Sequence, residues 1–365
     1  MQNEEFLNKK QRLLKSIENK NIEAALISKQ SNFLWLTCGK RNDVLKNDNN
    51  SLVYLLITKE EDYLIATNSD GDRVIQEELL NLNFNKIIYK WDCEDVFDAI
   101  KKLGIKKIIG GDFNDYRITN IEDLLINLRV SLTCHEVGRT VQFCKRYTKI
   151  LTEFCLELKP EIMECEIAAS LNYRLLMDNI KATVLMVGSD DRIFKFRHPV
   201  ATNKIINKYL LISTVVEEDG INISVSRSVY FGKAPRNLHR KQYLVNFIDA
   251  TYCNYSISGR NLKELYIKGK ETYSKMNLLD EWDKHTQGGI VGYTPREIEI
   301  KENANYILNN NNLISFNPTI TGVKTEDVVL IENNISKQLT IDKNWPYEEI
   351  TTDKSTYLKP KILEI

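Results

Sequence analysis

The sequence predicts an α/β chain in two parts, and three observations carry this prediction. Short apolar runs alternate with segments of helical periodicity as far as about residue 135. Two long helical patterns then follow, over 136–158 and 165–178. After them strand signals dominate, with a hairpin signal over 208–232. Alternating helices and strands are typical of an α/β domain. The sequence therefore predicts an N-terminal α/β domain followed by a second domain with long helices and strands.

The N-terminal elements can be placed in order. Phe6, Leu13, Leu14 and Ile17 recur at helical spacing and predict an amphipathic helix over 4–20. Apolar runs that end in polar or glycine residues predict strands, and they lie at 24–28, 33–39, 51–58 and 62–68. We expect this first domain to span residues 1–138.

The second domain begins with the helix over 136–158, which Lys159 and Pro160 end. Strands are predicted at 183–188, 208–216 and 221–232, and helices at 237–250 and 261–275. Asp219-Gly220 lies between two alternating apolar runs, which is a strong hairpin signal. We expect this domain to span 139–345 and to be followed by a peripheral polar tail over 346–365.

Composition limits the function. Lys and Arg together number 50, as do Asp and Glu, so no net field favours nucleic acid or an anionic membrane as a partner. No apolar run approaches the roughly 20 residues of a membrane span. The seven cysteines form no C-x-x-C pair, which favours reduced thiols. We expect a soluble cytoplasmic protein.

Residues 281–297 and 315–331 hold the densest set of chemically active side chains in the chain. The first stretch, EWDKHTQGGIVGYTPRE, contains one of only four histidines and a Gly-Gly pair. The second, SFNPTITGVKTEDVVLI, contains an Asn-Pro and a Glu-Asp. A reactive centre is therefore expected in these two stretches.

Six segments carry a resemblance to a known family. They are, in chain order, SNFLWLTCG, KPEIMECEIAA, FRHPVATNK, ISVSRSVYFG, HTQGGIVGYTPRE and FNPTITGVKTEDVVL. Their order and content resemble the pita-bread enzymes, among them creatinase, aminopeptidase P, prolidase and methionine aminopeptidase. The resemblance spans roughly residues 10–335. It implies a creatinase-type N-terminal α/β domain, a pita-bread C-terminal domain and a homodimer.

The resemblance also implies a two-metal centre of two Asp, one His and two Glu, but most of these positions hold other residues. They read Ser213, Ser224, Gly289, Asn317 and Glu326. One carboxylate among neutral groups cannot hold two dications, because each ion needs several anionic or imidazole ligands to replace its hydration. We therefore expect no metal and no other cofactor.

Other reactive side chains remain in the same segments. His198 and His285 are candidate general acids or bases, because an imidazole titrates near neutral pH. Glu326 is a candidate base or orienting group, with a pKa that burial beside neutral groups would raise. Side chains that could bind a substrate carboxylate or a developing oxyanion are Arg197, Arg227, Arg296, Gln287, Tyr293 and Asn317.

Each candidate also has a structural alternative. His198 precedes a proline and could cap a turn, while Tyr293 could be a packing residue. Arg227 could pair with an inner carboxylate such as Glu326, and Arg296 with its neighbour Glu297.

Creatinase, within the family that the chain resembles, implies that this fold can cleave a C–N bond without metal. The sequence thus favours a metal-independent hydrolase acting on a small amide, guanidino or peptide-like substrate that bears a carboxylate. A non-catalytic pseudo-peptidase that binds a peptide or protein partner is the first alternative. An Xaa-Pro aminopeptidase or dipeptidase with an atypical metal site is the second.

Overall fold

A computed structural model describes residues 2–42, 44, 50–105, 108–353 and 355–365. The chain divides into two compact units, Met1–Arg129 and Val130–Ile365. Both units contain helices and strands, which confirms the predicted α/β class. The finer limits predicted for the two domains, 1–138 and 139–345, stay a prediction, and the expectation for 346–365 is taken up below. Among the described residues, no helix is both long enough and apolar enough to cross a membrane.

The first unit is built on one mixed sheet with strand order β4-β3-β2-β1-β5-β6. Its strands are β1 (Ala24–Lys29), β2 (Asn50–Ile57), β3 (Asp62–Thr67), β4 (Phe84–Tyr89), β5 (Ile109–Gly111) and β6 (Thr119–Asn120). Its helices are α1 (Gln2–Glu18), α2 (Gln30–Leu36), α3 (Gly71–Arg73), which continues as a π-helical segment over Val74–Glu78, α4 (Val96–Lys102) and α5 (Glu122–Arg129). The predicted helix over 4–20 and the strands at 24–28, 51–58 and 62–68 are confirmed.

The strand predicted over 33–39 is wrong, because this segment forms α2 and its C-terminal cap. Every residue from Asn32 to Leu36 is buried, and a short apolar run buried on all sides has no periodicity that separates strand from helix. Cys38 and Gly39 have positive φ, and Gly39 N donates to Leu34 O at 2.8 Å, as at many helix ends. Asn32 anchors the helix by donating from Nδ2 to Asp112 Oδ2 at 2.9 Å.

The second unit contains two larger sheets, with strand orders β11-β10-β12-β15-β16 and β19-β9-β8-β7, and the two-stranded pairs β13-β14 and β17-β18. Its helices are α6 (Cys134–Leu156), α7 (Glu164–Met177), α8 (Asp191–Lys195), α9 (Arg236–Tyr255), α10 (Leu262–Lys275) and α11 (Leu279–Trp282). Its first strands are β7 (Lys181–Ser189), β8 (Tyr209–Glu218), β9 (Ile221–Tyr230), β10 (Gly288–Val291), β11 (Ile298–Glu299) and β12 (Leu313–Phe316). The others are β13 (Thr319–Ile320), β14 (Val323–Lys324), β15 (Asp327–Glu332), β16 (Ile335–Gln338), β17 (Tyr347–Thr351), β18 (Thr356–Pro360) and β19 (Leu363–Glu364).

The hairpin of β8 and β9 is the longest antiparallel pair of this unit and confirms the hairpin prediction. Its register runs without interruption from Tyr209↔Tyr230 to Glu218↔Ile221. Asp219 and Gly220 both have positive φ, 48° and 85°, which is the conformation of a type I′ turn. Every residue of β9 from Ile221 to Val229 is buried. The two strands of this hairpin carry the buried serines described below.

Residues 346–365 are not a peripheral tail, and that expectation is wrong. The strand β19 pairs in parallel with β9 through Leu363↔Val229. On β18, Lys359 is fully buried and forms an ion pair with Asp249 of α9. The polar composition of the segment suggested exposure, but Lys359 is neutralised inside the unit by Asp249 rather than by solvent.

Candidate functional site

Three buried serines lie on one face of the β8–β9 hairpin. Ser213 is the cross-strand partner of Ser226, and their Oγ atoms are 2.8 Å apart. Ser224 lies two residues before Ser226, so strand periodicity puts its side chain on the same face. Ser226 also forms a bridge to Glu326, just before β15, which joins the two larger sheets. This junction holds the centre of the candidate site.

A lysine lies at this junction. Lys324 Nζ is 2.7 Å from Ser213 Oγ and 2.8 Å from Glu326 Oε2. Ser226 Oγ is 3.1 Å from the same carboxylate oxygen. The side chains of Lys324 and Glu326 are only 4% and 3% exposed. We call Ser213, Ser226, Lys324 and Glu326 the lysine cluster.

The pKa of Glu326 contradicts the expectation of a raised value. Burial opposes ionisation of this carboxyl, but Lys324 and Arg296 outweigh it and hold its pKa below the usual range. Arg296 Nη2 donates to Glu326 Oε1 at 3.1 Å. The expected rise depended on neutral serine and asparagine neighbours, whereas Lys324 and Arg296 both contact the carboxylate. Glu326 is therefore an ionised partner of two cations rather than a neutral or free carboxyl group.

The metal centre that the resemblance implies does not fit these residues. No group of three or more His, Cys, Asp or Glu side chains that could hold a metal ion occurs in the described part of the chain. The ammonium of Lys324 is bonded to two of the five ligand positions, Ser213 and Glu326. A dication there would meet one carboxylate and two fixed positive charges, which is the reverse of what hard cations require.

The two predicted histidines come together next to the lysine cluster. Their Nε2 atoms are 3.0 Å apart, and the ring centroids of His198 and His285 are 4.9 Å apart. Lys324 and Glu326 act electrostatically on both imidazoles. We call His198 and His285 the histidine pair.

The hydrogen bonds assign the tautomers of the pair. His285 Nδ1 is 2.6 Å from the carbonyl oxygen of Thr286, which can only accept, so Nδ1 carries the proton. In the neutral ring, His285 Nε2 is then an acceptor, and His198 Nε2 must donate to it. His198 Nδ1 keeps a lone pair that has no partner within the described residues. One proton-accepting nitrogen of the pair is thus available.

Both histidines are neutral at pH 7. Burial lowers the pKa of His285 to about 4, and the positive charge of Lys324 acts in the same direction. Burial and Lys324 also lower the pKa of His198. The expectation that these imidazoles titrate near neutral pH is therefore wrong for His285. The pair presents a neutral base rather than an imidazolium acid.

Glu281 ties together the segments that carry the two histidines. It accepts from Lys284 Nζ at 2.9 Å and from Thr321 N at 2.9 Å, and it forms an ion pair with Arg197. Arg197 directly precedes His198, and Lys284 directly precedes His285. Burial opposes ionisation of Glu281, but Lys284, Thr321 and Arg197 outweigh it and lower its pKa to about 2.

The arginines predicted to bind a substrate carboxylate are paired with carboxylates of the chain. Arg197 pairs with Glu281, and Arg296 pairs with Glu326. Arg227 is buried and donates to Asp327 Oδ1 at 2.9 Å. It therefore pairs with an inner carboxylate, as the structural alternative predicted, but the carboxylate is Asp327 and not Glu326. A ligand could engage Arg227 only after displacing this buried pair.

Two predicted oxyanion donors instead support the scaffold. Gln287 donates from Nε2 to the carbonyl oxygen of His285 at 3.0 Å, and its Oε1 accepts from Tyr252 at 3.2 Å. Tyr293 is buried, and its hydroxyl bonds to Glu136 on α6. Gln287 therefore fixes the backbone beside the histidine pair, while Tyr293 secures β10 to α6.

Buried polar atoms without a partner collect along the segment from β12 to β15. Asn317 Oδ1 has no hydrogen-bond partner among the described residues, and neither do the hydroxyls of Ser315, Thr319 and Thr325. Buried polar groups in native proteins are nearly always paired. A polar ligand or ordered water at these four atoms would satisfy them.

Sequence reasoning did not select Lys324 or Glu281. Lys324 lies two residues before Glu326, a spacing that puts both side chains on one side of an extended chain. Glu281 lies four residues before His285, a spacing at which side chains meet on a helix. Both signals were present, but neither specifies a partner from another segment.

The comparisons with known proteins agree with this fold. Residues 9–125 match the family model of the creatinase/prolidase N-terminal domain. No curated protein matches the chain at a significant level. The matched segment lies entirely within the first unit.

Solved structures extend the likeness to nearly the whole chain. The prolidase from Pyrococcus horikoshii has a TM-score of 0.77 and 19% identity, covering 92% of this chain and 99% of its own. An Xaa-Pro dipeptidase from Bacillus anthracis has a TM-score of 0.74 and 15% identity, covering 99% of this chain and 100% of its own. The N-terminal domain of a FACT complex subunit from chickpea, Cicer arietinum, has a TM-score of 0.70 and 10% identity, covering 93% of this chain and 96% of its own. The protein thus carries a creatinase/prolidase N-terminal domain and has the pita-bread fold of prolidases and Xaa-Pro dipeptidases.

Proposed function

We propose that this protein is a hydrolase that cleaves a C–N bond of a small peptide-like or amide substrate without a metal ion. The observation that carries the proposal is the hydrogen bond of 3.0 Å between His198 and His285. This hydrogen bond leaves His198 Nδ1 able to accept a proton, near the fixed positive charge of Lys324. The names of two similar structures, a prolidase and an Xaa-Pro dipeptidase, supply the substrate class.

In this mechanism His198 is the general base. Its Nδ1 takes a proton from a water molecule as the water oxygen attacks the carbonyl carbon of the substrate. The imidazolium that forms is stabilised because His198 Nε2 donates to the neutral Nε2 of His285. The same proton then passes to the leaving nitrogen as the C–N bond breaks, which returns His198 to its neutral form.

Glu326 has a different role from the base first expected. Its carboxylate balances Lys324 and Arg296, and we assign it to holding these cations in place. Asn317 and its unpartnered neighbours supply polar contacts for the substrate. A substrate carboxylate would bind by sharing the partly exposed Arg197 or Arg296 rather than Arg227.

The test is turnover by purified protein that has been treated with a chelator. Dipeptides, including Xaa-Pro dipeptides, and small amides with a free carboxylate are incubated with the protein, and products are quantified by mass spectrometry. We expect turnover that falls by about 100-fold or more in His198→Ala and His285→Ala, the usual contribution of general base catalysis. His239→Ala is the matched control, because His239 bonds to Glu364 at 3.0 Å and not to the pair. Equal activity of all three variants, or no turnover of any substrate, would contradict the proposal.

A second candidate function is the binding of a peptide or protein partner without chemistry. Internal pairing of the three arginines favours it, since charges neutralised within the chain are less available to a reacting substrate. The similarity to a domain of a FACT complex subunit is consistent with it. Saturable binding of the same dipeptides, with no product at any protein concentration, would support this candidate over the hydrolase.

Two further expectations belong to the proposal. The protein is expected to be a homodimer, by resemblance to the pita-bread enzymes, and to reside in the cytoplasm, by its composition. Sedimentation equilibrium gives the oligomeric state directly, and a monomer at all concentrations would remove the first expectation.

A further inference from the structure

The ammonium group of Lys324 lies where the resemblance implies a metal ion. Lys324 is held on β14 with its Nζ 2.7 Å from Ser213 Oγ and 2.8 Å from Glu326 Oε2. Both partners lie at positions where the resemblance implies metal ligands. A cation tethered to the chain thus contacts the oxygens that a free cation would use.

A second, independent observation concerns Gly289, the position where the resemblance implies a metal-binding histidine. A Cβ atom on Gly289 would meet the carbonyl oxygen of Ile298 and lie 2.9 Å from Cα of Glu299. Gly289 and Glu299 are cross-strand partners on β10 and β11. No side chain fits there without a shift of the backbone of β11. This position therefore lacks the metal-binding histidine and also lacks the space for one.

The charges at the junction of the two sheets also oppose the binding of a metal ion. Lys324 and Arg296 bring two positive charges to the single carboxylate of Glu326. A dication would be repelled by both cations and attracted by one anion, at separations where a buried site screens poorly. Ser224 Oγ, 3.5 Å from Arg296 Nη1, adds a neutral oxygen and no negative charge.

We propose that Lys324 is a built-in replacement for a metal ion. Its ammonium occupies the cation position of the site, supplies the fixed positive charge and excludes divalent cations. The inference concerns the cation and not the reaction, so it stands apart from the proposed hydrolase activity. The cation of this site is thereby carried on a side chain of the protein itself.

The experiment compares two variants that differ only in the ammonium group. Both carry Ser213→Asp and Ser224→Asp, which return carboxylates to two ligand positions, and one also carries Lys324→Met. After treatment with a chelator, each protein is titrated with Mn²⁺ by isothermal titration calorimetry, and bound metal is counted by elemental analysis. We expect the variant with Lys324→Met to bind about one Mn²⁺ per chain through its three carboxylates. The variant that keeps Lys324 should bind at least ~10-fold more weakly because its ammonium repels the ion.

Wild-type protein provides the arm that does not depend on the folding of a variant. We expect it to bind no Mn²⁺ beyond the amount bound by Glu326→Gln, and its unfolding temperature to be unchanged by the ion. Binding by wild type that is lost in Glu326→Gln would overturn the inference. Equal Mn²⁺ affinity of the two matched variants would also overturn it. Neither result depends on finding a substrate, so failure of the hydrolase proposal would leave this inference untouched.

Discussion

The lysine cluster and the histidine pair are neighbours with opposite electrostatic character. In the lysine cluster Lys324 and Glu326 are buried and neutralise one another, and Glu326 also accepts from Arg296 outside the cluster. In the histidine pair the rings are neutral, His285 is partly buried and His198 is exposed, and His198 Nδ1 has no partner among the residues that the structure describes. A buried charge without a partner is costly, whereas a neutral base at a partly exposed position is not.

This difference indicates how the two regions divide their roles. The lysine cluster contributes to stability, because the loss of Lys324 or Glu326 leaves the other buried charge without its cluster partner. The histidine pair contributes to reactivity, because its free lone pair can take a proton without breaking an ion pair. Substitutions in the two regions should therefore separate stability from activity.

The largest effect is expected from Lys324→Met, which leaves Glu326 buried with Arg296 as its remaining cation. Breaking a buried ion pair costs about 3–5 kcal/mol, and the retained arginine puts the expected loss near ~3 kcal/mol. The double variant Lys324→Met/Glu326→Gln removes both charges and should recover more than about half of that loss. Urea unfolding at pH 7, followed by circular dichroism, measures both values.

The control for this cycle is an exposed ion pair of the same types. Lys337 lies 2.9 Å from Glu332, with both side chains at least 39% exposed, so Lys337→Met should change the free energy of unfolding by less than about 1 kcal/mol. If Lys324→Met and Lys337→Met cost the same, the lysine cluster does not stabilise the fold and the comparison fails.

Much of the fold was predictable because local signals and tertiary environment agree. The hairpin of β8 and β9 is an example, since alternating apolar residues and Asp219-Gly220 specify strands and turn together. The segment over 33–39 shows the opposite case. Its apolar run is uniform, and the residues that anchor its Asn32, Asp112 and Glu122, lie 80 and 90 residues away along the chain.

The site was predicted less completely than the fold, for a physical reason. His198 and His285 could be found because imidazole is rare in this chain and chemically distinctive. Lys324 could not be singled out, because lysine is common and its role depends on Ser213, 111 residues away along the chain. Lysine so close to Glu326 also reversed the expected direction of the carboxyl pKa. The second cation, Arg296, lies 30 residues from Glu326 along the chain, and spacing alone does not report such a contact.

An intermediate effect is expected from Glu281→Gln, which weakens the link between the segments of the histidine pair. Losing charge-assisted bonds to Arg197 and Lys284 should cost about 1.5 kcal/mol at pH 7. The folded pKa of Glu281 is about 2, below its ordinary value of 4.5. Its stabilising contribution is therefore present above about pH 4.5 and is lost as pH falls towards 2. Chemical unfolding of wild type and Glu281→Gln between pH 7 and pH 3 should show the difference narrowing with acid, and a constant difference would contradict this assignment.

The smallest change in stability is expected from the titration of His285. This titration also tests most directly whether the two regions interact. Burial, then Lys324 and His198, lower its pKa to about 4, so the folded state binds a proton at His285 less readily than the unfolded state does. The free energy of unfolding should therefore decrease as pH falls from about 6.5 to 4. In Lys324→Met the repelling charge is gone, and the pKa of His285 should rise towards the ordinary value, while burial keeps it below that value. Imidazole signals followed by NMR between pH 7.5 and 4 give both values, and the signals of His239 report whether each variant keeps its fold. A His285 pKa that does not change between wild type and Lys324→Met would mean that the lysine cluster and the histidine pair are electrostatically independent, and that the cation of this site does not act on its base.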